Sequence, residues 1–254
     1  MGNKIVVLML SSMLSTPLFA VDNIRTTTVK GLSLGINGVT QSLYYNPSII
    51  SSATSPTLQV RFANKFAIKE LSTYSLQAVY PNSFADVAVS AATFGSSFYR
   101  NSSVGLTLSK SFLKQWAVGA SFYYQKIVLP TVQLNQQMVD VGVTYTPNAS
   151  VMVALSALNV LSDCSVRLGA TWGIVSQVAL LTELVYDSNT FASVSFGIEY
   201  ELLQSFYLRA GLIAPTVQPS LGLGYSIGKF TLDVGCSYHA QLGMSSGAGL
   251  NVIF

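Results

Sequence analysis

Apolar and polar residues alternate with a period of two along most of this chain, and that pattern limits its fold more than any other feature. The clearest segments run from Trp116 to Tyr124, from Val139 to Tyr145 and from Ala192 to Tyr200. In each, apolar or aromatic side chains occupy one face, while small or polar ones, among them Asp140 and Glu199, occupy the other. A period of two is the side-chain repeat of a β-strand, so the pattern predicts an all-β chain.

The chain carries very little charge for its length of 254 residues. Charged residues make up 9% of the sequence, whereas ordinary soluble domains have about 25%. The mean hydropathy is +0.48, yet no apolar run after residue 20 approaches the ~20 residues of a membrane-spanning helix. Either a large buried core or a lipid-facing β-barrel accounts for such a chain. The scarcity of charge for covering a soluble surface favours the transmembrane antiparallel β-barrel.

Both ends of the chain favour a barrel of the bacterial outer membrane. Residues 1–20 follow the order of a signal peptide: Lys4, an apolar run, and small or turn-forming residues up to Ala20. The last eight residues predict an apolar strand that pairs with the first strand and removes the sheet edge. Gly249, Val252 and Phe254 are similar to the C-terminal assembly signal of such barrels. We therefore expect outer-membrane lipid and the barrel-assembly machinery as partners.

Counting the alternating segments predicts about fourteen strands between Thr57 and Phe254, with twelve as the alternative. The predicted domains are a signal peptide at 1–20, an N-terminal plug segment at 21–56 and the barrel at 57–254. Longer loops are expected at Gly95–Asn101, Leu129–Gln137 and Pro215–Gln218. Aromatic residues near strand ends predict girdles at the membrane interfaces. They are Phe94, Trp116, Tyr145, Tyr186, Phe191, Tyr200 and Phe230.

The segment at 21–56 is rich in Gly, Ser, Thr and Asn and contains the motif Tyr45-Asn46-Pro47-Ser48. A fourteen-strand barrel leaves a lumen that its own side chains fill poorly, so a small plug inside it is one interpretation. A disordered tail is the alternative. Tyr44 and Ile50 favour the plug, because large apolar side chains require burial.

A glycine-rich N-terminal stretch, a Tyr-Asn-Pro-small motif and an all-β chain ending on an aromatic residue resemble the FadL-like transporters. The same features are more similar still to the related PorV/PorQ family of outer-membrane barrels. That family usually has Asn-Pro-Ala where this chain has Asn46-Pro47-Ser48. The resemblance implies a fourteen-strand barrel with an internal plug. The chain is much shorter than is usual for the family, which puts functions carried by family loops in doubt.

Strand parity points several ionisable side chains into the lumen, and Glu183, Glu199 and Arg209 fall on three consecutive strands. With Arg167 they form a predicted polar cluster, which either lines a constriction or pairs its charges to reduce the cost of burial. No arrangement favours catalysis, since His239 is the single histidine. Cys164 and Cys236 lack metal spacing and a disulfide between them is disfavoured. We therefore expect no enzyme activity and no cofactor or metal. We also expect no nucleic-acid partner, because the charged residues are scattered along the chain.

Two functions remain open from the sequence. The first, implied by the resemblance, is a PorV/PorQ-type accessory barrel that engages proteins of type IX secretion or their cargo. The second is a FadL-like passive channel for a small hydrophobic ligand. Short loops and a plug favour the first, because they leave little material for a substrate-capture site outside the membrane. An apolar pocket beside the plug or a gap in the wall would favour the second.

Overall fold

The computed structural model describes residues 28–35, 38–187 and 192–254. The predicted signal peptide at 1–20, the first part of the predicted plug at 21–27 and the girdle residue Phe191 lie outside these residues. Within the described ranges, no helix has both the length and the apolar character needed to cross a membrane.

Fourteen antiparallel strands form one closed barrel, in which every strand pairs with its neighbours in sequence and the last pairs with the first. This confirms the predicted fold class and the higher of the two strand counts. The strands are β1 Thr57–Asn64, β2 Ser72–Tyr80, β3 Asp86–Gly95, β4 Arg100–Phe112, β5 Trp116–Val128, β6 Gln133–Asn148, β7 Val151–Leu158, β8 Ser165–Val175, β9 Val178–Asp187, β10 Ser193–Leu203, β11 Phe206–Ala214, β12 Gln218–Ile227, β13 Phe230–His239 and β14 Gly243–Ile253.

The seam between β1 and β14 is fully paired, from Thr57 opposite Ile253 to Asn64 opposite Ser246. No edge strand therefore remains for another chain to pair with. The barrel opening next to Thr57 and Ile253 is called the terminal rim, and the opposite opening is called the distal rim. Tight turns of two or three residues join most strands at the terminal rim, as between β4 and β5 or between β8 and β9.

The structure confirms that the apolar residues of the period-two pattern face outward and the small or polar ones face inward. On β4 the outward side chains of Val104, Leu106 and Leu108 are about half exposed, while the inward Ser103 and Thr107 are buried. The same alternation continues on the other strands and leaves an apolar outer face around the barrel. So large an apolar surface is unfavourable in water, and a closed barrel that presents it is consistent with the outer membrane.

Outward aromatic residues lie near both rims. Trp116 and Tyr145 face each other on β5 and β6 near the terminal rim, with ring centroids 4.4 Å apart. Phe62 and Tyr74 form a comparable pair near the distal rim, 5.1 Å apart. The prediction for Phe94 was wrong: its side chain points inward and is 3% exposed, because it packs with Ala92, Leu71 and Tyr99 inside the distal end.

The predicted loop Leu129–Gln137 is largely strand. β5 and β6 continue their backbone pairing as far as Val128 opposite Gln133, so only residues 129–132 form the connection. Side chains from Gln133 to Gln137 are exposed on both faces. Without one apolar face the sequence pattern disappears, although the backbone hydrogen bonds remain.

Two short helical elements precede the barrel strands. Helix α1, Val29–Ser33, begins at Thr28, whose side-chain oxygen accepts a hydrogen bond from the Gly31 amide at 2.8 Å. A 3-10 helix, Pro47–Ser52, begins at Asn46, which caps it through the Ser48 amide. A further 3-10 turn, Lys69–Leu71, lies between β1 and β2. Polar caps satisfy the amides that a helix start leaves unpaired.

Candidate functional site

The described residues 28–35 and 38–53, here called the plug, pack against the inner face of the barrel wall. Val39, Leu43, Asn46 and Ser48 are at most 1% exposed. Helix α1 packs against β11 to β14, and the 3-10 helix packs against β3 to β6. The two helical elements of the plug therefore contact two separate arcs of the wall.

Asn46 organises the predicted plug motif. Its side-chain oxygen accepts hydrogen bonds from the Ser48 amide at 3.1 Å and the Ser48 hydroxyl at 2.7 Å. Its amide group donates to the Val39 carbonyl and to the Thr144 hydroxyl of β6, both at 3.0 Å. All four hydrogen bonds are buried, so one side chain fixes the plug turn and ties it to the wall. Pro47 follows at the first helical position, where a missing amide is tolerated.

Wall glycines make room for this motif. A Cβ atom added at Gly119 would lie 2.5 Å from the Pro47 carbonyl carbon, and one added at Gly142 would collide with the Asn46 side chain. Gly119 and Gly142 are directly opposite each other on β5 and β6. The two glycines thus form a recess in the wall that matches the Asn46-Pro47 backbone, because any other residue would keep that backbone away.

A second recess receives helix α1. Added Cβ atoms at Gly222 and Gly235, which are register partners on β12 and β13, would both collide with the Ser33 hydroxyl. Another at Gly211 on β11 would collide with the Leu34 backbone. The Ser220 hydroxyl donates to the Ser33 carbonyl at 3.0 Å. The C-terminal end of α1 is therefore held against bare backbone of the wall.

Glu183 on β9 joins the middle of the plug to the wall. One of its carboxylate oxygens accepts hydrogen bonds from the Gly38 and Val39 amides, both at 2.9 Å, and the other accepts from Arg167 at 3.3 Å. The Arg167 guanidinium also lies 4.4 Å from the centre of the Tyr45 ring. Glu183 is 1% exposed. Three hydrogen-bond donors offset the desolvation cost of burying this carboxylate, and its negative charge strengthens each hydrogen bond.

A second ionic network lies nearer the terminal rim. Glu199 on β10 accepts from Lys30 of the plug at 2.8 Å and from Arg209 on β11 at 2.6 Å. The Nη1 group of Arg209 also donates a hydrogen bond to the Asp233 carboxylate on β13 at 2.5 Å. The four residues predicted as one cluster thus form two pairs, Arg167 with Glu183 and Arg209 with Glu199. Each pair binds a different part of the plug, a connection that strand parity alone does not give.

Tyr44 of the plug contacts the wall at strands β1 and β5. Its ring stacks with that of Tyr123 at a centroid distance of 6.3 Å, and the Arg61 guanidinium is 5.9 Å from the ring centre. Burial raises the pKa of the Tyr44 phenol above its usual value, and the nearby positive charge of Arg61 opposes that rise only in part. The phenol therefore stays neutral throughout the physiological range.

A cavity of about 490 Å³ lies between the plug and the terminal half of the wall. Its lining combines the ionic network of Glu199, Arg209 and Asp233 with amide and hydroxyl side chains. Arg61 and Asn251 contribute from the seam strands β1 and β14. The cavity size is within the range of ~300–1,000 Å³ that is common for small-molecule sites.

The outer face carries an apolar groove of about 690 Å³ over strands β10 to β14. Ile198, Leu221, Leu223 and Val234 line it, together with the small side chain of Cys236. Gly222 and Gly235 also contribute to the groove, and they are the glycines that contact Ser33 on the inner face. Only the peptide backbone separates the groove from the plug at this point. Both cysteines are free.

The residues of the predicted assembly signal lie in the seam. Gly249 pairs with Arg61, and Val252 pairs with both Leu58 and Phe230. Phe254 is exposed beyond the last strand residue, and its amide donates to the Pro56 carbonyl at 2.9 Å. Sequence reasoning missed Lys30 as a luminal charge and the glycine recesses. The clustering of inward glycines on adjacent strands was the available signal for the recesses.

The fold can be compared with known proteins. No protein-family model and no curated protein matches the sequence. Among solved structures, the CymD monoaromatic hydrocarbon channel is similar with a TM-score of 0.66 at 12% identity, over 91% of this chain and 98% of that one. The toluene transporter TbuX of Ralstonia pickettii has a TM-score of 0.65 at 9% identity, over 92% of this chain and 100% of that one.

A FadL homologue of Pseudomonas aeruginosa is also similar, with a TM-score of 0.62 at 10% identity, over 89% of this chain and 97% of that one. At such identities the likeness extends to the fold alone. The FadL homologue shares the barrel fold that the FadL-like resemblance implies, and none of these structures is described as a PorV or PorQ protein. Of these three structures, CymD is described as a channel and TbuX as a transporter.

Proposed function

We propose that this protein is a passive outer-membrane channel for small hydrophobic molecules, and that movement of its plug opens the channel. The observation that carries the proposal is the way the plug is held. It fills part of a closed barrel and is attached through glycine recesses and a limited set of polar contacts, chiefly those of Asn46, Glu183 and Glu199. Such contacts can be exchanged for water without unfolding the barrel.

The outer surface supports the location. An apolar belt with aromatic residues at both rims matches the hydrocarbon core and the two interfaces of a bilayer. A channel in this membrane needs no energy source, because a solute can follow its own concentration gradient. The similar solved structures named as hydrocarbon or toluene channels also support the location and the solute class.

Apolar features near the plug support a hydrophobic solute. Leu43 and Ile50 of the plug pack with Val79 and Ala88 of the wall. On the opposite side, the apolar groove lies directly behind the α1 recess. The groove thus offers an apolar surface on the lipid side of the closed wall to a hydrophobic molecule that is already in the membrane. The sequence analysis named an apolar pocket beside the plug or a gap in the wall as signs of the channel. The cavity beside the plug is instead lined largely by polar and charged side chains, and the described strands form a closed wall, so neither sign is found.

The accessory role in type IX secretion stays a prediction from the resemblance. The described residues include no large loop at either rim that would present a surface to a secretion protein or its cargo. Native mass spectrometry of the barrel, extracted gently from its own membrane, separates the two hypotheses. A bare barrel with a bound apolar molecule is expected for the channel, whereas a co-purifying secretion subunit would favour the accessory role.

The channel proposal is tested by locking the plug. The hydroxyls of Thr40 in the plug and Thr171 on β8 are 3.0 Å apart, so Thr40→Cys with Thr171→Cys places two thiols within bonding reach. Cys164→Ser and Cys236→Ser remove the native thiols first. Uptake of radiolabelled toluene by cells with this variant should stop on oxidation and return on reduction. Uptake that is identical in both states, or absent from cells with the unlocked protein, would contradict the proposal.

A further inference from the structure

Arg61 is unusual among the basic side chains of the lumen. Lys30, Arg167 and Arg209 each form an ion pair with a carboxylate. Arg61, only 8% exposed, has no carboxylate within salt-bridge distance among the residues that the structure describes. Its guanidinium instead donates through Nη2 to the side-chain carbonyls of Gln59 and Gln77, the latter at 3.4 Å. A buried positive charge without a counter-ion is costly, and this one is held in place by neutral groups.

The positive charge of Arg61 lies at the wall of the cavity near the terminal rim. Arg61 lines the cavity, and its Nη1 group is buried without a hydrogen-bond partner among the described residues. Gly249, its register partner on β14, has no side chain that could cover it. The two carboxylates in the same cavity are already neutralised, Glu199 by Lys30 and Arg209, and Asp233 by Arg209. An anion in the cavity would therefore find Arg61 as the available cation.

Unpaired amide groups accompany Arg61. Gln41 of the plug and Asn251 of β14 line the same cavity, and their side-chain oxygens are buried. Within the part of the chain that the structure describes, neither oxygen has a hydrogen-bond partner. Asn251 is opposite Gln59, so it lies next to the residue that holds the Arg61 guanidinium. Hydroxyl groups of Ser226 and Thr231 complete this part of the lining. Carboxamides and hydroxyls of this kind bind ligands that carry several hydroxyl groups.

We propose that the cavity is a binding site for a small hydroxylated carboxylate, whose carboxylate pairs with Arg61 and whose hydroxyl groups bind Gln41 and Asn251. The site goes beyond the proposed passage of hydrophobic molecules, since it lies on the polar side of the plug. Gln41 belongs to the plug and Arg61 to the wall, so one ligand bridges both. Bound ligand thus stabilises the docked plug.

The test is calorimetric titration of the full-length protein, folded in detergent, with gluconate as the probe. Glucose tests the need for the carboxylate, and inorganic phosphate tests the class of anion. Arg61→Gln should weaken gluconate binding at least tenfold, because a charge-assisted contact is lost. Arg100→Gln is the matched control, since Arg100 is an exposed arginine at the distal rim and should leave the affinity unchanged.

Gluconate should bind at least tenfold more tightly than glucose or phosphate. Asn251→Ala, which removes no charge, should weaken gluconate more than phosphate and provides a second probe if Arg61→Gln does not fold. Absence of gluconate binding to the wild-type protein, equal affinity in Arg61→Gln, or tighter binding of phosphate would each overturn the proposal. None of these titrations depends on solute passage, so the channel proposal stands or fails separately.

Discussion

Glu183 offers the sharpest test of how the plug is held. Glu183→Gln preserves the size of the side chain and one acceptor oxygen but removes the negative charge. In the native protein the Glu183 carboxylate accepts hydrogen bonds from the backbone amides of Gly38 and Val39 and from the Arg167 guanidinium. The variant therefore weakens contacts between plug and wall without creating a cavity.

The size of the effect follows from the contacts. A hydrogen bond to a charged group contributes about 1.5–3 kcal/mol, and a neutral one contributes roughly half as much. The two amide hydrogen bonds together should thus lose about 1.5 to 3 kcal/mol. Arg167 keeps its contact with the Tyr45 ring, which limits the cost of leaving its charge unpaired. A change of this size makes undocking of the plug roughly 10- to 150-fold more frequent.

Hydrogen–deuterium exchange measures that frequency, because a backbone amide exchanges when its hydrogen bond opens. Peptides that contain Gly38 and Val39 should lose protection by the stated factor, while peptides from the β4–β5 hairpin should not change. Glu70→Gln is the control, since Glu70 is exposed and lies outside the barrel wall. Protection of Gly38 and Val39 within threefold of wild type would refute the assignment of Glu183 as a plug contact.

Three further predictions concern the recess, the buried phenol and the membrane. Gly142→Ala should cost about 1–3 kcal/mol of plug docking through overpacking against Asn46, seen as faster exchange in the plug, whereas Gly173→Ala, where an added Cβ meets only ordinary contacts, should have no effect. Because burial raises the pKa of Tyr44, its contribution to stability is present below the usual pKa of 10.0 and is lost as pH rises through the higher folded value. A tyrosinate absorbance titration should therefore lose part of its late, alkaline amplitude in Tyr44→Phe, and no difference between the two curves would refute this. Trp116 and Trp172 face outward on β5 and β8 near the terminal rim, so lipids brominated near the headgroup should quench their fluorescence more strongly than lipids brominated near the chain end; equal quenching would contradict the membrane placement.

The strand count was predictable because the alternation is local. Each strand shows its outward face within about ten residues, as Val104, Leu106 and Leu108 do, and no long-range information is needed. The signal fails where the surroundings change. Gln133 to Gln137 are exposed on both faces beyond the apolar belt. Phe94 follows the alternation, since it shares the inward parity of Ser90 and Ala92 on β3, and only its place near a strand end suggested a girdle residue.

The plug contacts were beyond prediction from the sequence. Strand parity placed Glu183 in the lumen, but not opposite the amides of Gly38 and Val39, which are more than 140 residues away in sequence. Gly119 and Gly142 were equally visible as inward glycines. Their partner is a backbone segment that has no periodicity of its own, so only the three-dimensional structure shows what the missing side chains accommodate.

The closed seam has a consequence for biogenesis. The plug is joined directly to β1, and β1 is one of the two strands that complete the cylinder. The finished wall has no lateral gap, so the segment enters either through the opening at the terminal rim or while the sheet is still open. On either route, its contacts with β6 and β9 form only after those strands have taken their places in the wall. Docking of the plug therefore follows assembly of the strands that it contacts, and a change that delays those strands would delay docking as well.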